Sequence, residues 1–205
     1  MISQAHRISV VTDDEITAAG EVLAQALADD PFCVHAQRDV DARQRQFAWF
    51  FAQLVREGVR EKCAFAHGAR GRPDGVAVWQ RREAEETDRE APGEPAELEQ
   101  RLGPAAYARF AAYRQFEEVH RQCVAGPHLY LAVVGVRPGF QGRGIGGALL
   151  APVLLLADEE GLPCYLETFV SSNVRFFEHR GFEVAAGGAH VESRIPFWAM
   201  TREPI

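Results

Sequence analysis

A glycine-rich turn between an apolar strand and an apolar helix constrains the fold more than any other feature of this sequence. The run 129–136 has the composition of a buried strand, and a helical pattern begins at about Gly144. Glycines occupy positions 142, 144, 146 and 147. Glycines let the chain turn tightly and leave successive N–H groups open, and a helix N-terminus adds the positive end of a dipole. The turn therefore predicts an anion site that suits a phosphate or a pyrophosphate.

The elements around this turn predict a mixed α/β protein. A strand, a helix and a second strand over 129–169 form a parallel β-α-β unit. Further strands are predicted at about 8–11, 62–67, 75–80, 182–185 and 197–201. Further helices are predicted at about 12–27, 41–57, 96–120 and 173–179, the third of them broken at Gly103-Pro104. We expect the α/β (α+β) class, with a mixed central β-sheet flanked by helices on both faces.

Charged residues dominate one stretch near the middle of the chain. Eight of the ten residues from 81 to 90 are charged, and Pro92-Gly93-Glu94-Pro95 follows them. This composition predicts an exposed loop over 81–95. We expect one domain over residues 1–205, with a loop and helical insertion at about 81–127.

The charge balance and the cysteine spacing argue against several classes of protein. The chain has 22 Lys and Arg residues and 29 Asp and Glu residues, which gives a formal net charge of −7. Such a chain has no general attraction to nucleic acids or anionic membranes. The longest apolar run, 148–157, is too short to span a bilayer. No Cys-x-x-Cys or His-x-x-x-His pair is present, so no metal site is predicted. We expect a cytoplasmic monomer or homodimer without nucleic-acid, membrane or metal partners.

The glycine turn departs from the common nucleotide-binding loops. Its spacing does not fit the Gly-x-Gly-x-x-Gly of dinucleotide-binding folds, and it lacks the Gly-Lys-Ser/Thr step of the Walker loop. Gln141-x-x-Gly144-x-Gly146 instead resembles the pyrophosphate-binding loop of the GNAT superfamily of N-acetyltransferases. The strand 130–138 and the segment 166–182 also resemble, in order, that superfamily's fourth strand and its fifth strand with the following helix. Within the superfamily, the motif spacing is most similar to that of the puromycin N-acetyltransferase-like bacterial members.

The resemblance implies the GNAT fold and a co-substrate, acetyl-coenzyme A. It implies that the backbone of Val134 to Val136 pairs with the pantetheine arm and that the glycine loop holds the pyrophosphate. From the residues alone, Arg143 adds a charged contact at the edge of this loop. The residues assigned to the co-substrate are Val134, Gly135, Val136, Gln141, Gly142, Arg143, Gly144, Ile145, Gly146, Gly147, Asn173, Phe176 and Phe177.

Phe177 is a departure from the superfamily pattern. Relatives usually carry Tyr at this position, where the phenol is placed to protonate the departing thiolate. Phe cannot donate a proton. The general acid is therefore missing, replaced by another group or by water, or unnecessary. Proton transfer from such a group typically raises the reaction rate about 10² to 10⁴-fold.

Candidates for the remaining chemistry are spread along the chain. Glu167 is the first candidate for the general base, directly or through water, and it alternatively binds the substrate's ammonium group or a local donor. His120 is the second candidate, with a structural role as its alternative, and Tyr130 offers a phenol. Asp30 and Phe32 are predicted to bind the acceptor together with Glu167. For Asp30 and Phe32 the alternatives are a solvent-exposed helix end and core packing.

These features predict an enzyme that transfers an acetyl group from acetyl-coenzyme A to a primary amine of a small molecule. The amine attacks the thioester directly, without an acyl-enzyme. The resemblance suggests an antibiotic-like or metabolite amine, and with it a role in antibiotic resistance. One alternative is a protein N-terminal or lysine acetyltransferase. The other, motivated by Phe177, is a non-catalytic acyl-coenzyme A-binding domain.

Overall fold

A seven-stranded mixed sheet forms the centre of the computed structural model, which describes residues 8–83 and 95–205. The strands are β1 (Ile8–Val10), β2 (Ala64–Ala69), β3 (Arg72–Arg82), β4 (His128–Val136), β5 (Cys164–Thr168), β6 (Glu183–Ala189) and β7 (Pro196–Arg202). Their order across the sheet is β1-β2-β3-β4-β5-β7-β6. β4 and β5 run parallel, and the other neighbouring pairs are antiparallel.

Helices cover both faces of this sheet. They are α1 (Ile16–Ala26), α2 (Pro31–Ala36), α3 (Val40–Arg60), α4 (Pro95–Leu102), α5 (Pro104–Ala111), α6 (Phe116–Cys123), α7 (Ile145–Glu160) and α8 (Ser171–Glu178). A 3-10 turn at Ala112–Gln115 joins α5 to α6. Thr12 and Glu15 form the capping box that precedes α1.

Two apolar cores lie on opposite faces of the sheet, and β3 contributes to both. Successive side chains of a strand point to opposite faces, and here Val76 and Val78 pack with α1 and α3. Ala77 and Trp79 pack with α7 on the other face. All four side chains are fully buried. The predicted fold class, a mixed sheet with helices on both faces, is confirmed.

The path of β4 creates an opening in the sheet. Val78 pairs with Val133 and Trp79 with Leu131, so Ala132 is an extra residue on β4 that forms a bulge. On its other side, β4 pairs with β5 only at Leu129 with Cys164 and at Tyr130 with Tyr165. Beyond Tyr130 the two strands separate. The edge of β4 that faces β5 therefore lacks a strand partner over 131–136 among the described residues.

Several elements differ from the sequence prediction. The sequence prediction ends the first helix at about 27 and places no helix directly after it, but Asp30 caps a further short helix, α2, whose first residue is Pro31. β3 extends to Arg82, and residues 84–94 of the predicted exposed loop lie outside the described residues. The predicted break at Gly103 is confirmed between α4 and α5. Among the described residues, no helix has the length and apolar character needed to cross a bilayer.

Candidate active site

A cavity of about 440 Å³ opens where β4 and β5 separate. β4 and β5 form its floor, and residues of α2, α3, α5 and α6 surround it. Its volume lies in the range of pockets that take a small organic ligand. Apolar side chains form most of its lining, and a set of five charged residues lines it in addition to Asp30. These charged residues are Arg82, Arg114, Glu117, Arg121 and Glu167.

Glu167 lies on β5 just beyond the last residue pair that joins β5 to β4. Its side chain is half-buried and lines the cavity. Burial raises the pKa of Glu167 to about 7, against the opposing effect of hydrogen bonding by Tyr165 and Tyr130. Glu117 raises this pKa further, and Arg82 lowers it. A carboxylate with a pKa near neutrality can take up a proton at neutral pH and release it again.

Tyr130 and Tyr165 lie on neighbouring strands with their ring centroids 5.9 Å apart. Both phenols favour the charged form of Glu167. The Tyr165 hydroxyl is buried and faces Glu167. Burial and the Glu167 charge raise the pKa of both phenols. Both therefore stay protonated at neutral pH, and of the two only Tyr130 lines the cavity.

His120 and His128 form a buried pair behind Tyr165. Their Nε2 atoms are 2.7 Å apart, and His128 Nδ1 lies 2.8 Å from the Gly126 carbonyl oxygen. Because a carbonyl only accepts, His128 carries its proton on Nδ1, and its Nε2 accepts from the Nε2–H of His120. Burial lowers the pKa of both residues, that of His120 to about 3.

Neither imidazole is among the residues that line the cavity. The His120 ring stacks on Tyr165 with 3.9 Å between ring centroids. The structure thus places the predicted second base beside the site, in contact with it through Tyr165. A part for His120 in proton transfer stays a prediction.

Five aromatic rings form one side of the cavity. We call this set the aromatic wall, and its members are Phe32, Phe110, Tyr113, Phe116 and Phe169. The centroid of Phe32 lies 4.5 Å from that of Tyr113 and 5.7 Å from that of Phe169. The Tyr113 hydroxyl lies 3.1 Å from Ser193 Oγ, and its ring stacks on His190. The wall therefore presents ring surfaces to the cavity. Phe32, predicted to bind the acceptor, is part of it.

Asp30 also lines this cavity. Its Oδ1 accepts hydrogen bonds from the backbone N–H groups of Phe32 at 2.9 Å and Cys33 at 3.4 Å, which begins α2. Burial raises the pKa of Asp30 to about 6, because these two bonds only partly offset the loss of solvent. No cationic side chain among the described residues forms an ion pair with it. The carboxylate is thus a half-buried acceptor that can accept further hydrogen bonds.

The glycine loop connects β4 to α7 at the other end of the opening. Gly144 precedes the helix with a φ of +81°, a left-handed conformation that favours glycine. The N–H groups of Ile145, Gly146 and Gly147, in the first turn of α7, have no acceptor within the helix. They lie at its positive end, as an anion site requires. The Ile145 side chain is buried under the sheet, so only its backbone is available to a ligand.

The long side chains of the loop contact the loop itself. Gln141 Nε2 donates to the Val136 carbonyl at 3.1 Å, and Arg143 donates to the Gly139 carbonyl at 2.8 Å. Both residues are exposed, as are Gly142 and Gly144. In this structure the two side chains therefore hold the loop in shape. Their contacts with a ligand stay predictions.

Arg180 is a cation that the sequence analysis did not identify at this site. Its guanidinium lies against the first turn of α7, so close that a Cβ on Gly147 would come 2.4 Å from Nη2. It stacks on Phe176 with Cζ 3.6 Å from the ring centroid, and it donates to the Phe176 carbonyl. The described residues provide no carboxylate for it. Nothing in the motif spacing indicates this contact, because it depends on the way α8 packs against α7.

The other residues predicted to bind the co-substrate lie around the same opening. Phe177 lines the cavity and is 4% exposed, and Asn173 Nδ2 donates to Thr168 Oγ1 at 3.2 Å. Val134 lines the cavity at the free edge of β4. Gly135 packs against α1, where a Cβ would lie 2.8 Å from that of Ala26. The backbone of Val136 leads into the loop, where its carbonyl accepts from Gln141.

Possible metal ligands are not gathered at this site. Among the residues that the structure describes, no three His, Cys, Asp or Glu side chains are placed to hold a metal ion. The cavity is instead lined by the titratable carboxylate of Glu167 and by phenols, and the backbone N–H groups at the start of α7 lie beyond it, after the free edge of β4. This set is suited to moving a proton beside a bound anion.

Comparison with known sequences identifies relatives of this arrangement. The profile of the Acetyltransferase (GNAT) family matches residues 55–182. An uncharacterized N-acetyltransferase of Schizosaccharomyces pombe is 36% identical over 77 residues, which are 37% of this chain and 31% of that protein. The match thus covers less than a third of the length of the curated relatives.

Comparison with solved structures finds the same fold over nearly the whole chain. Arylalkylamine N-acetyltransferase 2 of Aedes aegypti superposes with a TM-score of 0.67 at 15% identity, over 97% of this chain and 99% of that one. A protein of Corynebacterium glutamicum described as histone acetyltransferase HPA2 and related acetyltransferase gives a TM-score of 0.63 at 18% identity. That match covers 98% of this chain and 97% of the other. At such identities the likeness concerns the fold.

Proposed function

Since this chain belongs to the Acetyltransferase (GNAT) family, whose profile matches more than half of it, we propose that it transfers an acetyl group from acetyl-coenzyme A to a primary amine of a small molecule. One observation carries the proposal. The opening between β4 and β5 joins an anion site at the start of α7 to a cavity in which Glu167 has a pKa of about 7. An acetyl donor bound along this opening would meet an amine beside a base.

The residues present fit acetyl-coenzyme A. The N–H groups at the start of α7 and the Arg180 guanidinium would hold its phosphates. The free edge of β4 would pair with its extended arm, as a strand edge pairs with a peptide. Acetyl-coenzyme A supplies the activated acetyl group as a thioester.

Glu167 takes the role of proton acceptor in this proposal. Amines of this kind are protonated in water, so a proton must leave before the nitrogen can attack. Glu167 lines the cavity with its carboxylate, and near neutral pH a large fraction of it is ionised. Tyr130 lines the same cavity and holds a protonated phenol, so we assign to it the donor role that Phe177 cannot fill. Water is the alternative donor.

The shape of the cavity favours a small acceptor. Helices α2, α3, α5 and α6 surround it, whereas a protein substrate needs an open groove for a chain. The Aedes aegypti neighbour is by its name an acetyltransferase of arylalkylamines, and the Corynebacterium glutamicum neighbour is described as a histone acetyltransferase. A protein acceptor is therefore the second candidate among transferases. An antibiotic-like amine, as in the puromycin N-acetyltransferase-like members, and a cytoplasmic monomer or homodimer stay predictions from the sequence.

Phe177 favours one rival of a different class, a domain that binds acyl-coenzyme A without catalysis. This residue removes the phenol that the resemblance leads one to expect near the sulfur. The rival predicts tight binding of acetyl-coenzyme A without product from any amine. Product formation therefore separates the two.

Calorimetric titration with acetyl-coenzyme A tests the site itself. Gly144→Asp places a negative charge at the start of α7, and we expect at least a tenfold loss of affinity from repulsion. Gly161→Asp is the matched control, since it has a φ of +67° at the other end of the same helix and a Cβ meets nothing at either position. Equal affinity of the two variants for acetyl-coenzyme A would contradict a phosphate site at the start of α7. Thiol release with a panel of amines then tests the transfer.

A further inference from the structure

Two of the three carboxylates that line the cavity, Glu167 and Asp30, have separate surroundings. Glu167 lies among Tyr130, Tyr165, Glu117 and Arg82. The carboxylate of Asp30 lies instead beside Phe32, Cys33 and Tyr113. They share none of these neighbours, so they belong to different parts of the lining. An acceptor that fills the cavity therefore meets more than one carboxylate.

The aromatic wall includes a ring close in sequence to each of these two carboxylates. Phe32 follows Asp30 by two residues, and Phe169 follows Glu167 by two residues. The rings of Phe32 and Phe169 are nearly parallel, 22° apart, with 5.7 Å between their centroids. The Tyr113 hydroxyl, the one polar group of the wall, is engaged by Ser193. A ring or another flat apolar group packs well against such a surface, whereas a polyhydroxylated sugar would leave its hydroxyls unpaired there.

Asp30 has acceptor capacity that its own fold does not use. Its Oδ1 accepts the two backbone bonds that begin α2, and a carboxylate can accept about four. A helix cap alone does not require a carboxylate in the lining of a cavity, because Ser or Thr caps a helix without bringing a charge there. A ligand group that donates a hydrogen bond would complete its environment.

We propose that the acceptor is an aromatic primary amine with a hydrogen-bond donor on the far side of its ring. The amine lies at Glu167, the ring lies against the aromatic wall, and the donor, such as a phenol hydroxyl, bonds to Asp30. This inference rests on the proposed function and narrows its substrate to one chemical class. Asp30 is then a specificity-determining residue and takes no part in the acetyl transfer.

Four amines of similar length separate the features of this class. Tyramine has the ring and the donor, phenethylamine lacks the donor, cyclohexylethylamine also lacks the aromatic ring, and putrescine has neither ring nor apolar body. With acetyl-coenzyme A and wild-type protein, we expect kcat/KM for tyramine to exceed that for phenethylamine about tenfold or more, as for a hydrogen bond to a charged group. Phenethylamine should exceed cyclohexylethylamine roughly twofold to tenfold, and putrescine should rank last.

Asp30→Asn tests the donor contact while keeping the helix cap, because Asn caps helices as well as Asp. We expect the ratio of kcat/KM for tyramine to that for phenethylamine to fall several-fold in this variant. Asp39→Asn is the matched control. Asp39 caps α3 through Ala42 in an exposed position, and it is not among the residues that line the cavity. Its substitution should leave the ratio as in the wild type.

The outcomes separate this inference from the proposed function. Acetylation of any amine supports the function, and the ranking of the amines then decides the substrate class. Putrescine or a lysine peptide as the best acceptor overturns the class, and so does an unchanged ratio in Asp30→Asn. If no amine is acetylated, calorimetric binding of the four amines to protein saturated with coenzyme A still gives the ranking. The function alone then fails.

Discussion

Glu167 and Asp30 both carry a carboxyl group, but their surroundings suit these two groups to different roles. Glu167 lies among phenols and charged groups next to the opening, where it can exchange a proton. Asp30 lies among rings, where it can only accept hydrogen bonds from a ligand or the backbone. Burial raises the pKa of both, to about 7 and about 6. At neutral pH this leaves Glu167 divided between its two forms and Asp30 mostly charged.

Glu167→Gln should abolish most of the turnover, because the amide cannot accept a proton. We expect kcat to fall about 10² to 10⁴-fold, the usual value of a general base. In the wild type, kcat/KM should rise between pH 6 and pH 8 with an inflection near 7, since only the ionised carboxylate acts as base. The variant should lose that inflection and keep only the slope that the amine's own titration causes.

Glu160→Gln is the control for this measurement. Glu160 ends α7 and pairs with Arg81 away from the cavity. Rates and pH profile should match those of the wild type. An inflection near pH 7 that survives in Glu167→Gln would assign the proton transfer to another group.

Single residues differ in how far the sequence reveals them. Glu167 was a candidate from the sequence because it lies on a predicted strand beside the proposed thioester, and the structure places it in the lining of the cavity. Arg180 could not be predicted as a site residue. It precedes Gly181 in a segment whose resemblance to the superfamily depends on its other residues. Its contact with Gly147 requires the docking of two helices that are separated by a strand.

At the scale of elements, α8 and the turn after it lie against the first turn of α7, where we propose the anion site. Phe176 lies over Gly146, where a Cβ would come 3.1 Å from the ring, and Arg180 lies over Gly147. The two glycines therefore allow this close approach, and in the proposed function they also allow the approach of a phosphate. A side chain at either position would push the cation away from the helix N-terminus.

Arg180→Gln should weaken acetyl-coenzyme A binding roughly tenfold, as expected for a charged hydrogen bond to phosphate. Arg180→Lys keeps the charge and should lose less. Arg101→Gln, an exposed arginine of α4, is the control and should bind as the wild type does. Calorimetric titration at two salt concentrations measures the affinity of each variant and how far that affinity depends on charge. Unchanged affinity in Arg180→Gln would mean that Arg180 packs on Phe176 and does not bind the phosphates.

The elements themselves were predictable where pattern and local chemistry agree. The strand, turn and helix over 128–160 follow from apolar runs and glycines, and the break at Gly103 follows from Gly-Pro. α2 was missed because Asp-Pro marks a helix start as readily as a helix end. β6 was predicted too short, since Gly187 and Gly188 weaken the strand pattern and only the pairing with β7 makes this segment a strand. The opening between β4 and β5 depends on register, which the sequence does not show.

At the scale of the whole molecule, the raised carboxyl pKa values link the site to stability. Both groups hold a proton more tightly in the folded state than in the unfolded chain, where their values are 4.5 and 3.8. The folded state therefore loses stability as the pH rises from about 4 through 7. A carboxylate held in an ion pair has a lowered pKa, so its contribution to stability is lost as the pH falls instead.

Thermal unfolding at pH 5 and pH 8 tests this link. Glu167→Gln should unfold at nearly the wild-type temperature at pH 5 and at a higher temperature than the wild type at pH 8. Asp158→Asn should instead lower the unfolding temperature at both pH 5 and pH 8, because its hydrogen bond with Arg202 lowers the pKa of Asp158 below its usual value and leaves the carboxylate ionised at both. A lower melting temperature for Glu167→Gln at pH 8 would mean that the charged form of Glu167 is stabilised by the fold.

The aromatic wall is assembled from one ring per structural element. Phe32 comes from α2, Phe110 from α5, Tyr113 from the 3-10 turn, Phe116 from α6 and Phe169 from the segment after β5. The glycine loop that would bind the donor belongs to none of these. Substitutions at separated sites act nearly independently. A lineage that carries this scaffold can therefore exchange one acceptor for another through single ring replacements, each a small evolutionary step, while its acetyl donor stays the same.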